Sequence, residues 1–110
     1  MTVEQTNTID FSSIDKNSGE FVLTISDHLP WSEDEGQHLQ ILQDKLNAYL
    51  RFIESGELAR KMPASEGRKV IISIVGKYEF SHQGKIFFER ARNAVSGAGF
   101  ELEFRLMRPN

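Results

Sequence analysis

The chain has no cysteine. That excludes disulfides, thiolate zinc sites, iron–sulfur clusters and cysteine nucleophiles together. No apolar run approaches the roughly 20 residues that a membrane helix needs, so no spanning segment is expected. The first residues, Met1-Thr2-Val3-Glu4-Gln5-Thr6-Asn7-Thr8, offer neither a basic start nor an apolar stretch, so no signal peptide is expected. A cytoplasmic location is the matching expectation for a cysteine-free chain. Internal repeats and low-complexity segments are also missing. What is there suits one soluble domain with one core: 110 residues, 39% apolar and 26% charged.

The net charge of −3 conceals a division. Up to Asp44 there are nine carboxylates and one basic residue, Lys16; from Lys45 onward twelve basic residues face seven acidic ones. Such a split fits pairing across the folded surface, head-to-tail association, or an acidic face offered to a basic partner.

Residues 1–8 read as a polar tail and 9–110 as a single domain. Ile9, Phe11 and Ser13 alternate with polar neighbours, and Lys16-Asn17-Ser18-Gly19 carries turn chemistry. Phe21, Leu23 and Ile25 then alternate with Val22, Thr24 and Ser26. The period of two predicts a hairpin with one buried face. Ser32-Glu33-Asp34-Glu35 has capping-box spacing, with three carboxylates suited to the positive end of a helix. The apolar stripe Leu39, Leu42, Leu46, Tyr49, Leu50, Ile53 predicts a long helix, widened by Ile41, Ala48 and Phe52 and capped near Gly56. A loop over 56–67 follows, with room for one helical turn at Glu57–Lys61. Val70 to Val75 is a nearly unbroken β-branched run, the signature of a central strand. Ser81 is the candidate N-cap of a second helix to Ser96, with Phe87, Ala91, Ala94, Val95 and Ala98 on its inner face. Phe100, Leu102, Phe104 and Leu106 alternate with Glu101, Glu103 and Arg105 in a last strand.

The order ββαβαβ, with right-handed crossovers, places both helices on one face of a four-stranded sheet. The expected fold is a two-layer α+β sandwich. Its uncovered face would show Val22, Thr24, Ile71, Ser73 and Val75 beside Glu101, Glu103 and Arg105. A part-apolar face of that kind suits a homodimer through Ile71, Ser73 and Val75, unless the 56–67 loop folds over it.

At Ser26-Asp27-His28-Leu29-Pro30-Trp31, and again from Leu42 through Leu46-Asn47-Ala48-Tyr49-Leu50-Arg51-Phe52-Ile53-Glu54-Ser55-Gly56-Glu57, the chain resembles a small bacterial family of about this length, itself a domain of unknown function. The likeness continues through Gly67-Arg68-Lys69-Val70-Ile71-Ile72 and the ending Ala98-Gly99-Phe100-Glu101-Leu102. It covers most of the chain beyond Ile9. The resemblance implies a bacterial, cytoplasmic, stand-alone domain, and it implies no reaction and no catalytic residues.

Asp27, His28, Trp31, Glu35 and His38 form the most suggestive constellation. Asp27 and His28 lie where the second strand ends, and Glu35 and His38, three apart, share a helical face. His28, Glu35 and His38 could ligate a divalent ion, and an Asp27–His28 pair could supply a general base. The plainer account is structural: Asp27 and His28 close the strand–helix corner, Trp31 plugs the core edge and Glu35 serves the cap. His82 lies far along the chain. No G-x-S-x-G elbow surrounds any serine, and Gly97-Ala98-Gly99 ends a helix where a phosphate cradle should begin one. Nucleic-acid binding is disfavoured by a pI near 5.6 and by a central strand without aromatics. The expectation is therefore a non-enzymatic protein-binding domain without a cofactor, taking a protein partner or a second copy. Its acidic surface would use Asp27, Trp31 as an aromatic anchor, Glu33, Asp34 and Glu35. An immunity-type protein neutralising a basic toxin, or an adaptor, would fit. The alternative is a metal-dependent or acid/base enzyme centred on Asp27, His28, Glu35 and His38.

Overall fold

A computed structural model describes residues 11–107. The expected tail over 1–8, the strand start at Ile9 and Asp10 lie outside the described residues. Strands β1 (Phe11–Ile14) and β2 (Phe21–Asp27) pair antiparallel, with Phe11 opposite Thr24 and Ile14 opposite Phe21. Asp15 organises the turn between them, its carboxylate accepting from the amides of Asn17 at 2.8 Å and Ser18 at 3.1 Å. Gly19 takes the left-handed φ of 77° that the turn requires.

Helix α1 (Glu35–Glu54) leads to the short α2 (Glu57–Lys61) and a 3-10 turn at Pro63–Ser65. The central strand β3 (Val70–Gly76), helix α3 (His82–Gly97) and strand β4 (Glu101–Leu106) complete the chain. The sheet order is β1-β2-β3-β4, with β2, β3 and β4 mutually parallel. Both crossovers step in the same direction, which brings α1 and α3 to one face, as right-handed connections demand. The fold is α+β with a four-stranded mixed sheet and the expected order of elements, α2 being the extra turn at Glu57–Lys61.

Register explains the core. Leu23, Ile72 and Leu102 form one row on the helix side, and Ile25, Ile74 and Phe104 the next. Leu42, Leu46 and Tyr49 of α1 and Val95 of α3 close over them. The Tyr49 hydroxyl donates to the Thr24 carbonyl at 2.8 Å, tying α1 to β2. Leu58 and Met62 join this same helix-side core, so the 56–67 segment does not cover the other face. On that other face the rows are Val22–Ile71–Glu101, Thr24–Ser73–Glu103 and Ser26–Val75–Arg105, as the alternation predicts.

Three expectations are corrected. The N-cap of α1 is Asp34 and not Ser32: the Asp34 carboxylate accepts from the Gln37 amide at 3.0 Å. Asp34-x-x-Gln37 repeats the spacing of Ser32-x-x-Glu35 two residues later, and residues 31–33 form a turn instead. In α3 Phe87, Ala91 and Val95 face inward as expected, joined by Gly84 and Phe88, whereas Ala94 and Ala98 are exposed. On the face without helices, Ile71 and Ser73 are only 6% and 3% exposed in the single chain. They offer little surface to a second copy, which leaves half-buried Val75 of the expected trio.

Candidate functional site

The alternation of β2 carries Asp27 onto the helix side at the strand's carboxyl end, opposite Gly76. The N-cap at Asp34 starts α1 in time for His38 to face inward. Nε2–H of His38 then donates to Oδ2 of Asp27 across 2.7 Å. The Leu29 amide donates to Oδ1 at 3.2 Å, and the Lys77 amide donates to the Asp27 carbonyl at 2.9 Å. A carboxylate only accepts, so the hydrogen between Asp27 and His38 belongs to Nε2. Trp31 stacks on the His38 ring at 3.6 Å between centroids and 22° between planes.

A carboxylate that orients a histidine is the arrangement of a general base, provided that the second ring nitrogen reaches a substrate. Here Asp27 is 4% exposed and His38 2%, and Nδ1 of His38 is buried with no hydrogen-bond partner among the described residues. The pair is closed, and it holds β2 to α1. Beyond the parallel strand ends, where open α/β sheets receive ligands, aromatic side chains fill the space. Phe80 lies 4.4 Å from Phe104, 5.3 Å from Phe88 and 5.5 Å from Trp31, centroid to centroid.

His28 is exposed and Glu35 is half-buried at the first position of α1, while Asp27, Trp31 and His38 converge. Among the described residues no three His, Asp or Glu side chains gather into a metal-holding group. Of the expected acidic surface, Glu33 and Asp34 are exposed, beside a hollow of about 160 Å³ also lined by Leu29, Pro30, Gln37, Ile41 and the almost wholly buried His38. Trp31 is 8% exposed and stacks on His38, so it plugs the core edge, as the plainer account expected, and offers little surface to a partner. The stacking itself is something spacing alone does not reveal.

Two features escaped the reading of the sequence. Lys45 is fully buried on α1, its ammonium 5.5 Å from the centre of the Tyr49 ring. The signal was its place in the inward series Leu42, Lys45, Leu46, Tyr49. The second is a groove of about 470 Å³ between α1 and α3. Leu39, Leu46 and Leu50 form one wall, and Ile86, Phe87 and Ala94 stand on the other. Arg90 is the one charged residue among those lining it. The groove exists because the apolar stripe of α1 is wider than the sheet covers, while Ala91 and Ala94 on α3 are too short to reach across. A stripe wider than one face, opposite a pair of alanines, was its trace in the sequence.

Neither a curated protein nor a solved structure matches this chain. A family model does match, over residues 1–108, and the chain belongs to that family, a family of unknown function (DUF6572).

Proposed function

We propose that this protein is a binding module that receives an amphipathic helix of a protein partner between α1 and α3. The observation that carries this reading is the contrast between two sites: the groove is open and mostly apolar, with Gln43, Asn47, Gln83 and Arg90 as its polar lining, and the Asp27–His38 pair is almost wholly buried. Helix-in-groove recognition needs apolar walls for side chains at helical spacing, with a few polar groups to set direction. Leu46, Leu50 and Phe87 supply walls, and Arg90 supplies direction by favouring a carboxylate on the partner. An apolar helix carrying an acidic residue therefore suits the groove better than the basic toxin of an immunity-type reading. Support for a basic partner contracts to Glu33 and Asp34, which could steer an approach.

A photo-crosslinking side chain at Ile86, on the groove, and another at Arg92, on the far side of α3, test the proposal in the host cell. A discrete adduct from position 86, absent from 92 and lost in Ala94→Glu, is expected. No adduct at 86, or one that survives Ala94→Glu, overturns it. The 2.7 Å bond between Asp27 and His38 supports the second reading, an acid/base or metal-dependent enzyme. Calorimetric titration with zinc, manganese and nickel addresses its metal form: saturable heat abolished by His38→Ala would favour it over the binding module.

A further inference from the structure

β4 is an edge strand, and among the described residues no strand pairs along its outer side. Its register with β3 is unbroken from Ile71 opposite Glu101 to Gly76 opposite Leu106, without a bulge, and it contains no proline. Bulges and prolines are two of the devices that blunt an edge; charged side chains are a third, and here Glu101, Glu103 and Arg105 supply them on one face, with both signs present. The Met107 amide donates to the Gly76 carbonyl at 2.7 Å. Backbone groups alternate along a strand, so the N–H and C=O of Leu102, Phe104 and Leu106 point away from β3. The side chains of these residues lie on the helix side, and those of Glu101, Glu103 and Arg105 on the other.

From this edge we infer that β4 pairs antiparallel with β4 of a second copy about a two-fold axis at Phe104, joining two sheets into one of eight strands. The charges select both the occupant and the register. With Phe104 opposite its own counterpart, each Glu103 faces Arg105 of the second copy, and each Arg105 faces Glu103. Glu101 keeps its bond to Lys69, 2.8 Å within its own chain. Arg105 already donates to Glu103 of its own chain at 2.8 Å, so the two copies would share a ring of alternating charge. Centring the axis on Glu103 instead would set Glu103 against Glu103, and like charges directly opposite destabilise a sheet. In the Phe104 register the outward backbone groups of Leu102 meet those of Leu106 in the second copy, and those of Phe104 meet each other. Every outward group of the strand then has a partner. On the helix side half-buried Phe104 and Leu106 gain apolar contacts. Because the contact is isologous, it closes at two copies and does not propagate. It uses none of the groove between α1 and α3.

Sedimentation of the full chain over a concentration series tests the inference through charge reversal. The expected result is a dimer, with the dissociation constant raised about tenfold or more in Glu103→Arg and in Arg105→Glu. Each of these variants places like charges opposite each other in a homodimer. An equimolar mixture of the two restores opposite charges and should return the dimer, as should the double variant E103R/R105E. Both reversals are at surface positions, and the mixture shows that each chain is folded. A wild type that stays monomeric at the highest soluble concentration overturns the inference. So does a dimer indifferent to both reversals, or single variants that fail to recover on mixing.

Discussion

Asp27 and His38 stand eleven residues apart in sequence and are joined side chain to side chain at 2.7 Å, both almost wholly buried. The bond fixes the carboxyl end of β2 against the first turn of α1, and Trp31 covers it from the loop between them. Three polar or aromatic residues with the look of a catalytic cluster thus serve as a strut. The same strut sets where α1 lies, and hence one wall of the groove.

Breaking the strut should be costly, because removing one member of a buried pair strands the other. Asp27→Ala leaves His38 and the Leu29 amide without an acceptor, and His38→Ala strands the carboxylate and removes the stacking partner of Trp31. Each is expected to cost about 3–5 kcal/mol in urea unfolding. The double variant should cost less than the two together, with a coupling of roughly 1–3 kcal/mol. Strict additivity would show that the two side chains do not act as a unit.

Two glycines should respond in opposite senses. A Cβ on Gly76 would lie 2.7 Å from Cε1 of Phe104 and 3.3 Å from the Tyr78 carbonyl oxygen. Gly76→Ala is therefore expected to destabilise by about 1–3 kcal/mol, and by less in a Phe104→Leu background, where the ring has gone. Gly36 lies in the first turn of α1 with nothing within 4 Å of its would-be Cβ. Gly36→Ala should stabilise by about 0.4–1 kcal/mol, chiefly by restricting the unfolded chain. Thermal unfolding of both variants in one buffer checks the signs.

The periodicity of two in Phe21–Ile25, the β-branched run from Val70 and the Ser81 cap were legible because each depends on neighbours in sequence. The Ser81 hydroxyl does accept from the Gly84 amide, at 3.1 Å. The rows on the face without helices were legible for the same reason. The start of α1 was ambiguous because Ser32 and Asp34 both precede a Glu or Gln by three residues, and tertiary contact at His38 decides between them. Phe80 has no periodic neighbours, so nothing local marks it as the hub between Trp31, Phe88 and Phe104. The division of charge was only partly informative: the Lys61–Glu57, Lys69–Glu101, Arg92–Glu89 and Arg105–Glu103 pairs fall within the basic half, while across the halves Glu20 acts on Lys69 and Arg105 on Asp15. Whether Asp27 and His38 open to a ligand depends on the packing of Trp31, a property no spacing carries.

Two surface groups give the stability curve opposite slopes at its ends. The amides of Ser18 and Asn17 donate to the Asp15 carboxylate and hold its pKa below the ordinary aspartate value. A group whose folded pKa is lowered adds stability that is present above the unfolded value and lost as pH falls through the folded one. Asp15→Asn should therefore flatten the acid limb between roughly pH 5 and 2. Lys69 is the reverse: its hydrogen bond to Glu101, and then the charge of Glu101, raise its pKa. Its contribution is full below the ordinary lysine value and lost as pH rises through the raised one, so Lys69→Met should flatten the limb between roughly pH 10 and 12. Denaturation midpoints across pH test both, and an unchanged slope in either variant would show that its bond does not persist in solution.

Filling the groove should separate stability from binding. Ala94 is exposed in the present chain and lines the groove with Leu46 and Phe87. In Ala94→Leu the added side chain covers apolar surface on both walls, and leucine is nearly as good a helix former as alanine. Filling a cavity in this way commonly gains about 0.5–2 kcal/mol, and a rise in Tm is expected. The crosslink from position 86 should vanish in the same variant, because the partner's helix needs the space that the leucine takes. A residue that could be improved for stability so simply, yet is alanine, is what a binding groove requires. If Ala94→Leu raises Tm and leaves the crosslink intact, the partner docks elsewhere and the groove is only a gap between two helices.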